Sequence, residues 1–486
     1  MGEQLKALDA TFLELEEADQ GAHMHIGGVM IFEPPAKGRA PSIEQVRADL
    51  HGRLDRLPRY RQRLSAPKTG GISWPSWEDD PRFDLSGHIR RASLPAPGAE
   101  TELLEWAGDY FSERLDRSRP LWELVVLEGL SGGRWALVSK THHCMVDGVG
   151  AVDVSHVLLD VEPGGSMSGD LAEEPRLEPP EAPATASTAR TAAAGAVALA
   201  KLPLEFGRAG VGLVGSSLGM ARHPGRAVDA VKSSRAMLDV ILRDELIAAP
   251  KSSLNVPISG RRRLAVSSVP LANLKGIKNA LGGTVNDVVL TVAAGGLRAL
   301  LLARGEELPA RGLRAMVPVN IRVASEHLAL GNKITSLFVH LPVAEPDPLQ
   351  RFEMQTQEAE SLKSGTQAVG SRAMIDFTAH APPVLHSFLA RSMYATRLFN
   401  LTITNVPGPQ AKLYAFGSRM TDVWPIVPLA AEHAVGLAVF SYDGKVFFCL
   451  NADRDAMPDL DILAEGIQRS FAELSAVAGG SDRAAR

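Results

Sequence analysis

Apolar residues fall along this chain in two periods, and the changes between them mark out its elements. Ser42-Ile43-Glu44-Gln45 has the form of a helix capping box, and Ile43, Val46, Leu50, Leu54 and Leu57 then recur at helical spacing. A second helix is predicted around residues 102–115. Apolar-rich runs at 121–128 and 134–140 predict two strands joined by a turn at Ser131-Gly132-Gly133. The second of these runs ends in His142-His143, and Gly148-Val149-Gly150 then reads as a tight entry into a helix carrying Val149, Val152, Val157 and Leu158. In the second half, 263–269, 314–320 and 334–341 predict strands. Thr284-Val285-Asn286-Asp287 predicts a helix start, with Val285, Val288, Val289, Val292 and Leu297 on one face. Near the C-terminus, 436–442 and 445–451 flank Asp443-Gly444, a strong hairpin signal.

Between the halves the pattern dissolves. From Pro163 to about Gly195 the chain is rich in Pro, Ala, Ser, Glu and Thr, the composition of a flexible linker. Residues 196–221 are small and apolar but interrupted by Lys201, Pro203, Glu205 and Arg208. Such a segment fits an amphipathic helix on the body, a lid or a membrane-surface element. With 486 residues, two domains are expected. The divisions predicted are 1–163, a linker and helical connector at 164–250, a second domain at 251–478, and a disordered tail at 479–486.

The chain is 45% hydrophobic and 22% charged, as an ordinary globular protein is. A net charge of -5, from 51 basic and 56 acidic residues, supplies no global basic field, so nucleic acid is not expected as a partner. Cys144 and Cys449 cannot build a disulfide framework or a metal-type cysteine cluster, which fits a reducing cytoplasm. The N-terminus lacks the apolar core of a signal peptide, and Lys6 stands where a myristoylation site wants Ser or Thr. No uncharged apolar run reaches the ~18 residues of a membrane span. The expectation is a soluble or surface-bound protein.

Candidate chemistry concentrates in His142-His143-Cys144-Met145-Val146-Asp147-Gly148. An imidazole at a strand end lies within reach of a substrate, and its reference pKa of roughly 6.5 lets it take a proton from an alcohol and return it. That points to acyl transfer, with His143 and Asp147 on one compact loop. A buried histidine satisfied by an aspartate is the plainer alternative. Neighbours on an extended segment face opposite ways, which argues against His142 and His143 sharing a metal ion and against His143 activating Cys144. Asp287 reads as a helix-capping carboxylate, whereas Asn286 could turn an amide toward a reacting carbonyl. Arg261-Arg262-Arg263 could meet phosphates, and Arg53, Arg56, Arg59, Arg61 and Arg63 could face anionic lipid; a solvated surface is the usual explanation of such runs.

The histidine motif resembles the H-H-x-x-x-D-G signature of the bacterial wax ester synthase/diacylglycerol acyltransferase family, in the chloramphenicol acetyltransferase-like superfamily. Leu8-Asp9-Ala10, the block from Leu115 to Trp122, Asn286-Asp287, the block from Val317 to Arg322, Leu330-Gly331-Asn332 and the block from Asn405 to Pro409 resemble the family's other blocks, in order. The resemblance implies an α/β (α+β) fold: two chloramphenicol acetyltransferase-like domains with mixed sheets flanked by helices, and an active-site tunnel at their interface. It implies that His143 is the general base, that Asp147 holds the loop by pairing with an arginine for which Arg322 is the candidate, and that His142 and Gly148 support the motif. The implied reaction needs no cofactor. Acyl-CoA is the co-substrate, and the acceptor is diacylglycerol or a long-chain alcohol. The implied location is cytoplasmic, peripherally on the inner membrane or lipid inclusions. Other acceptors on the same fold, an alcohol or amine, and a non-catalytic lipid-binding relative are the alternatives.

Overall fold

The computed structural model describes residues 3–35, 40–66, 74–145, 157–163, 249–320, 334–364 and 398–484. Its first sheet begins with β1 (His25–Phe32), beside β6 (Trp135–His142), β5 (Trp122–Glu128) and β4 (Ile89–Ser93). β1 and β6 run antiparallel with His25 opposite His142 and Phe32 opposite Trp135. A short hairpin, β2 (Gln62–Leu64) and β3 (Trp77–Asp79), stands apart. β6 alternates as strands must, and here both faces are covered: all eight of its residues are buried. Gly27 and Gly28 let neighbouring strands close on β1; a Cβ at Gly27 would collide with the Ser139 carbonyl.

The second sheet has the order β7 (Arg262–Pro270), β14 (Lys445–Asp453), β13 (Val435–Tyr442), β10 (Leu401–Val406), β8 (Leu313–Asn320) and β9 (Ile334–Leu341). Asp443 and Gly444, with φ of 41° and 77°, form the left-handed turn that their residue types favour. The two halves are not separate in sequence. β11 (Tyr414–Ala415) and β12 (Ser418–Ile426) leave the second half and extend the first sheet, β12 pairing antiparallel with β1. The expected unbroken domain at 251–478 is corrected accordingly. A strand buries its unpaired edge on whichever sheet offers one, and here that sheet belongs to the other half.

Seven helices are described. α1 (Ala7–Ala18), α2 (Ile43–Arg53) and α3 (Glu100–Ser112) flank the first sheet. α4 (Leu271–Leu281), α5 (Val285–Ala303), α6 (Pro348–Ser364) and α7 (Leu460–Ala484) flank the second. The Ser42/Gln45 capping box forms as predicted, but α2 stops at Arg53. Leu54 and Leu57 stay buried in 3-10 turns, the second of which starts at Pro58. α5 is buried nearly all round, from Asp287 through Leu297, and not on one face alone. It is long and apolar enough to cross a membrane, yet 72% of that stretch is buried inside the protein, which makes it a core helix. The tail expected to be disordered is instead the end of α7. Leu460, Leu463, Ile467, Leu474 and Ala478 keep an apolar period against the second core, and the helix continues to Ala484.

Most of the predicted linker and the segment 196–221 lie outside the described residues. The chain is anchored at both ends of that stretch. Asp160 bridges to Tyr414 of β11, and the Pro250 carbonyl accepts from Asn400 Nδ2 at 2.8 Å.

Candidate active site

The last residues of β6 and the 3-10 turn that follows, His143–Met145, carry the two histidines to different surroundings. His142, 1% exposed, extends the strand and points to α1, where its Nε2 lies 2.6 Å from Glu16 Oε2. Its Nδ1 accepts from the Cys144 backbone N–H at 3.2 Å. A ring that accepts at Nδ1 must be neutral with its proton on Nε2, so burial, which lowers the His142 pKa, decides its state. Burial alone would raise the Glu16 carboxyl. The hydrogen bond from His142, followed by the charge and hydrogen bond of Arg117, more than reverse this and hold it at about 2. Arg117 reaches Glu16 at 3.2 Å and Arg114 at 3.6 Å, and His25 Nε2 stands 4.0 Å away.

Other buried charge lies close by. Lys140 donates to the carbonyls of Tyr110 and Glu113 at 2.9 and 3.0 Å, and Glu123 stands 3.9 Å from it. Burial lowers its pKa to about 8. Burial also lowers His23 to about 4, assisted by the charges of Arg262 and Arg114. His25 is pushed well below its usual value by burial, then by His142 and Lys140.

His143 meets no such partners. Its backbone N–H donates to the Met24 carbonyl at 2.8 Å, and its ring stacks on Phe12 with centroids 3.8 Å apart and planes 17° apart. Among the described residues no hydrogen bond reaches the ring, and Nδ1 is buried without a partner. Burial lowers the imidazole to about 4, so it is neutral at pH 7 and carries a lone pair. The side chain as a whole is half-buried. The divergence of the two rings excludes chelation of one ion by the pair. Cys144 is 3% exposed and burial pushes its thiol well above the usual value, which makes it an inert core residue.

The other predicted residues divide. Asp287 caps α5: its Oδ2 accepts from the Thr284 backbone and hydroxyl at 2.8 and 2.7 Å, and its own N–H donates to Thr284 Oγ1. Asn286 is held through its Oδ1 by Asn405 Nδ2 at 3.2 Å, which joins two of the sequence blocks. No hydrogen bond joins either to His143. Asp147, Gly148 and Arg322 lie outside the described residues.

The basic runs are engaged within the protein. Arg53 pairs with Asp49 and Asp160, Arg59 with Glu3, Arg61 with Asp55 and Arg63 with Glu78. Arg262, 2% exposed, donates to the Gly21 carbonyl across the two halves, while Arg261 and Arg263 pair with Asp455 and Asp461. These pairings support the solvated-surface reading of both runs, the buried Arg262 excepted.

Glu16, Arg117 and Phe12 were not legible as site residues. Phe12 and Glu16 are four apart, hence on one face of α1, and a buried acid on an apolar helix face was the available signal. The block from Leu115 to Trp122 gains its meaning here: Arg117 braces α1 through Glu16, Glu17 and the Leu13 carbonyl. A cavity of about 400 Å³ also opens between the halves, lined by Ile31, Arg134, Ser267, Asp422, Trp424 and Glu465 among others. Ile31 is six strand positions from His25, roughly 20 Å along β1, so this cavity is not the surroundings of His143.

Comparison with known proteins identifies the family. The family model for the wax ester synthase/diacylglycerol acyltransferase catalytic domain matches residues 5–289, and that for the WS/DGAT C-terminal domain matches 330–475. Two Mycobacterium tuberculosis proteins, each named a probable diacylglycerol O-acyltransferase, are 32% identical over 481 and 479 residues. The alignments cover 97% of this chain and 96% and 98% of theirs. The structure of a wax ester synthase/diacylglycerol acyltransferase from Marinobacter aquaeolei VT8 superposes with a TM-score of 0.67 at 26% identity, covering 98% of this chain and 100% of that one. The starter condensation domain of rhizomide synthetase, solved with C8-CoA and Leu-SNAC, shares the fold: its TM-score is 0.58 at 15% identity, over 98% of this chain and 94% of that one.

Proposed function

Because the chain belongs to the wax ester synthase/diacylglycerol acyltransferase family, we propose that it moves the acyl group of an acyl-CoA onto the hydroxyl of diacylglycerol, with long-chain alcohols as second acceptors. It is an acyltransferase with two mixed sheets flanked by helices. The observation that carries the reading of its site is His143, a neutral imidazole at a strand end with no protein hydrogen bond on its ring among the described residues.

The proposed transfer is direct and needs no cofactor. His143 takes the proton of the acceptor hydroxyl, and the oxygen attacks the thioester carbonyl. The tetrahedral intermediate collapses with loss of the CoA thiolate, which the imidazolium protonates. An ester and free CoA result, and the histidine returns to its neutral form. Base catalysis of this kind supplies about 10²–10⁴-fold, and one oxyanion donor about 3 kcal/mol more. Asn286, whose Oδ1 is already held by Asn405, is the side-chain candidate for that donor. In this reading Asp147 and Gly148 hold the loop beyond His143, and acyl-CoA and acceptor approach from two sides of the junction between the halves.

The test is release of CoA from palmitoyl-CoA by wild type and His143→Ala, with dioleoylglycerol, hexadecanol or no acceptor. Release that needs an acceptor and falls at least a hundredfold in the folded variant supports the reading. Full activity in His143→Ala overturns it.

Both acceptors dissolve in membranes, which supports a cytoplasmic protein docked peripherally on the inner membrane or lipid inclusions. Full-length protein should then co-float with liposomes containing diacylglycerol. Recovery of all the protein at the bottom of the gradient would sink that proposal.

A further inference from the structure

We propose that Phe12 is a positioning residue for His143, its ring taking over the part that a hydrogen-bonded acidic side chain plays for many histidine bases. The proposal rests on the reading of His143 as the base.

Three observations carry it. The Phe12 and His143 rings are stacked, 3.8 Å between centroids and 17° between planes. No hydrogen bond among the described residues fixes the imidazole, whose Nδ1 is buried without a partner. Phe12, the ring that stacks on the histidine, packs in turn against one small apolar island of Leu15, Ala22 and Met24, as does Ala431. Met24 of that island also accepts the His143 backbone N–H at 2.8 Å. Ala431 lies between β12 and β13, so the second half contributes to the same island.

A flat face at stacking distance fixes the plane of the imidazole, which a backbone hydrogen bond alone leaves free to rotate. It also acts selectively along the reaction. The face of an aromatic ring carries negative potential, which does little for a neutral imidazole and attracts an imidazolium. The charge on His143 appears only while it holds the acceptor's proton, so the contact strengthens toward the transition state. An apolar aliphatic side chain of similar size would pack in the same place without that attraction.

The experiment uses the full chain with Phe12→Leu and Phe12→Tyr, each shown to be folded. Phe12→Leu should lower kcat about three- to thirtyfold, the range of a cation–ring contact, with KM for palmitoyl-CoA within about twofold. Its acid limb in kcat should move to lower pH, and Phe12→Tyr should recover most of the loss. The imidazole of His143, followed by NMR of labelled histidine without substrate and assigned with His143→Gln, should titrate about 0.5–1.5 units lower in Phe12→Leu. Wild-type kcat in Phe12→Leu, an equal loss in Phe12→Tyr, or an unchanged or higher His143 titration would each overturn the proposal. Activity surviving in His143→Ala would instead overturn the base assignment, and the NMR titration would still judge the stacking.

Discussion

The two flanks of one strand end differ sharply in chemistry. On the His142 side a carboxylate, two guanidinium groups and a second histidine form a buried ionic web, with the His142 ring bonded through both of its nitrogens. On the His143 side, one residue further along, there are a phenyl ring and, among the described residues, no hydrogen bond on the imidazole. Identical side chains meet different surroundings because His142 ends the strand and His143 opens the 3-10 turn after it. A saturated ring has no lone pair left to offer. A ring held by stacking keeps one.

Substitution should separate the two flanks. His143→Ala should remove about 10²–10⁴-fold of activity yet change unfolding free energy by no more than about 1.5 kcal/mol, the worth of its stacking contact. Glu16→Ala should do the reverse first. It leaves the buried Nε2–H of His142 without its acceptor, which costs about 1–3 kcal/mol, while Arg117, 37% exposed, can turn to water. Denaturant titration of both variants beside CoA release would test the division. Equal loss of stability in both would erase the distinction between anchor and reagent.

The smallest effect is on pH dependence, and both signs point the same way. His23, 6% exposed, has its pKa depressed by burial from 6.5 to about 4, so below pH 6.5 the unfolded chain binds its proton more readily. That contribution to stability is lost between about pH 6.5 and 4, at no more than about 1.4 kcal/mol per pH unit. Glu16, held at about 2 against a usual 4.5, adds a loss from pH 4.5 downward. Unfolding midpoints in urea should therefore fall steadily from pH 7 to pH 4. In Glu16→Gln the part below pH 4.5 should shrink. A flat profile over that range would mean that the web is hydrated in solution.

The catalytic reading rests on features local in sequence, and those were legible. The period of 134–140 predicted β6, and the residues after it predicted a histidine at a strand end. Thr284 and Asp287 predicted their own capping box, and Asp443-Gly444 its hairpin. What was not legible was remote. Glu16 is 126 residues from His142, and nothing in the local pattern around either names the other. Arginine runs that read as exposed charge proved to be paired with acids as far apart in sequence as Arg59 and Glu3 or Arg263 and Asp461.

The sequence by itself determined many of the local elements, the ordered family blocks and the histidine motif, because caps, strand periods and motifs act over a few residues. The tertiary structure alone decided that β12 would join the first sheet, that His142 would be bonded to Glu16, and that Phe12 would stack on His143. Burial and pairing depend on which remote segments share a space, and the energy of a charge or an imidazole depends on that space more than on its neighbours in the chain.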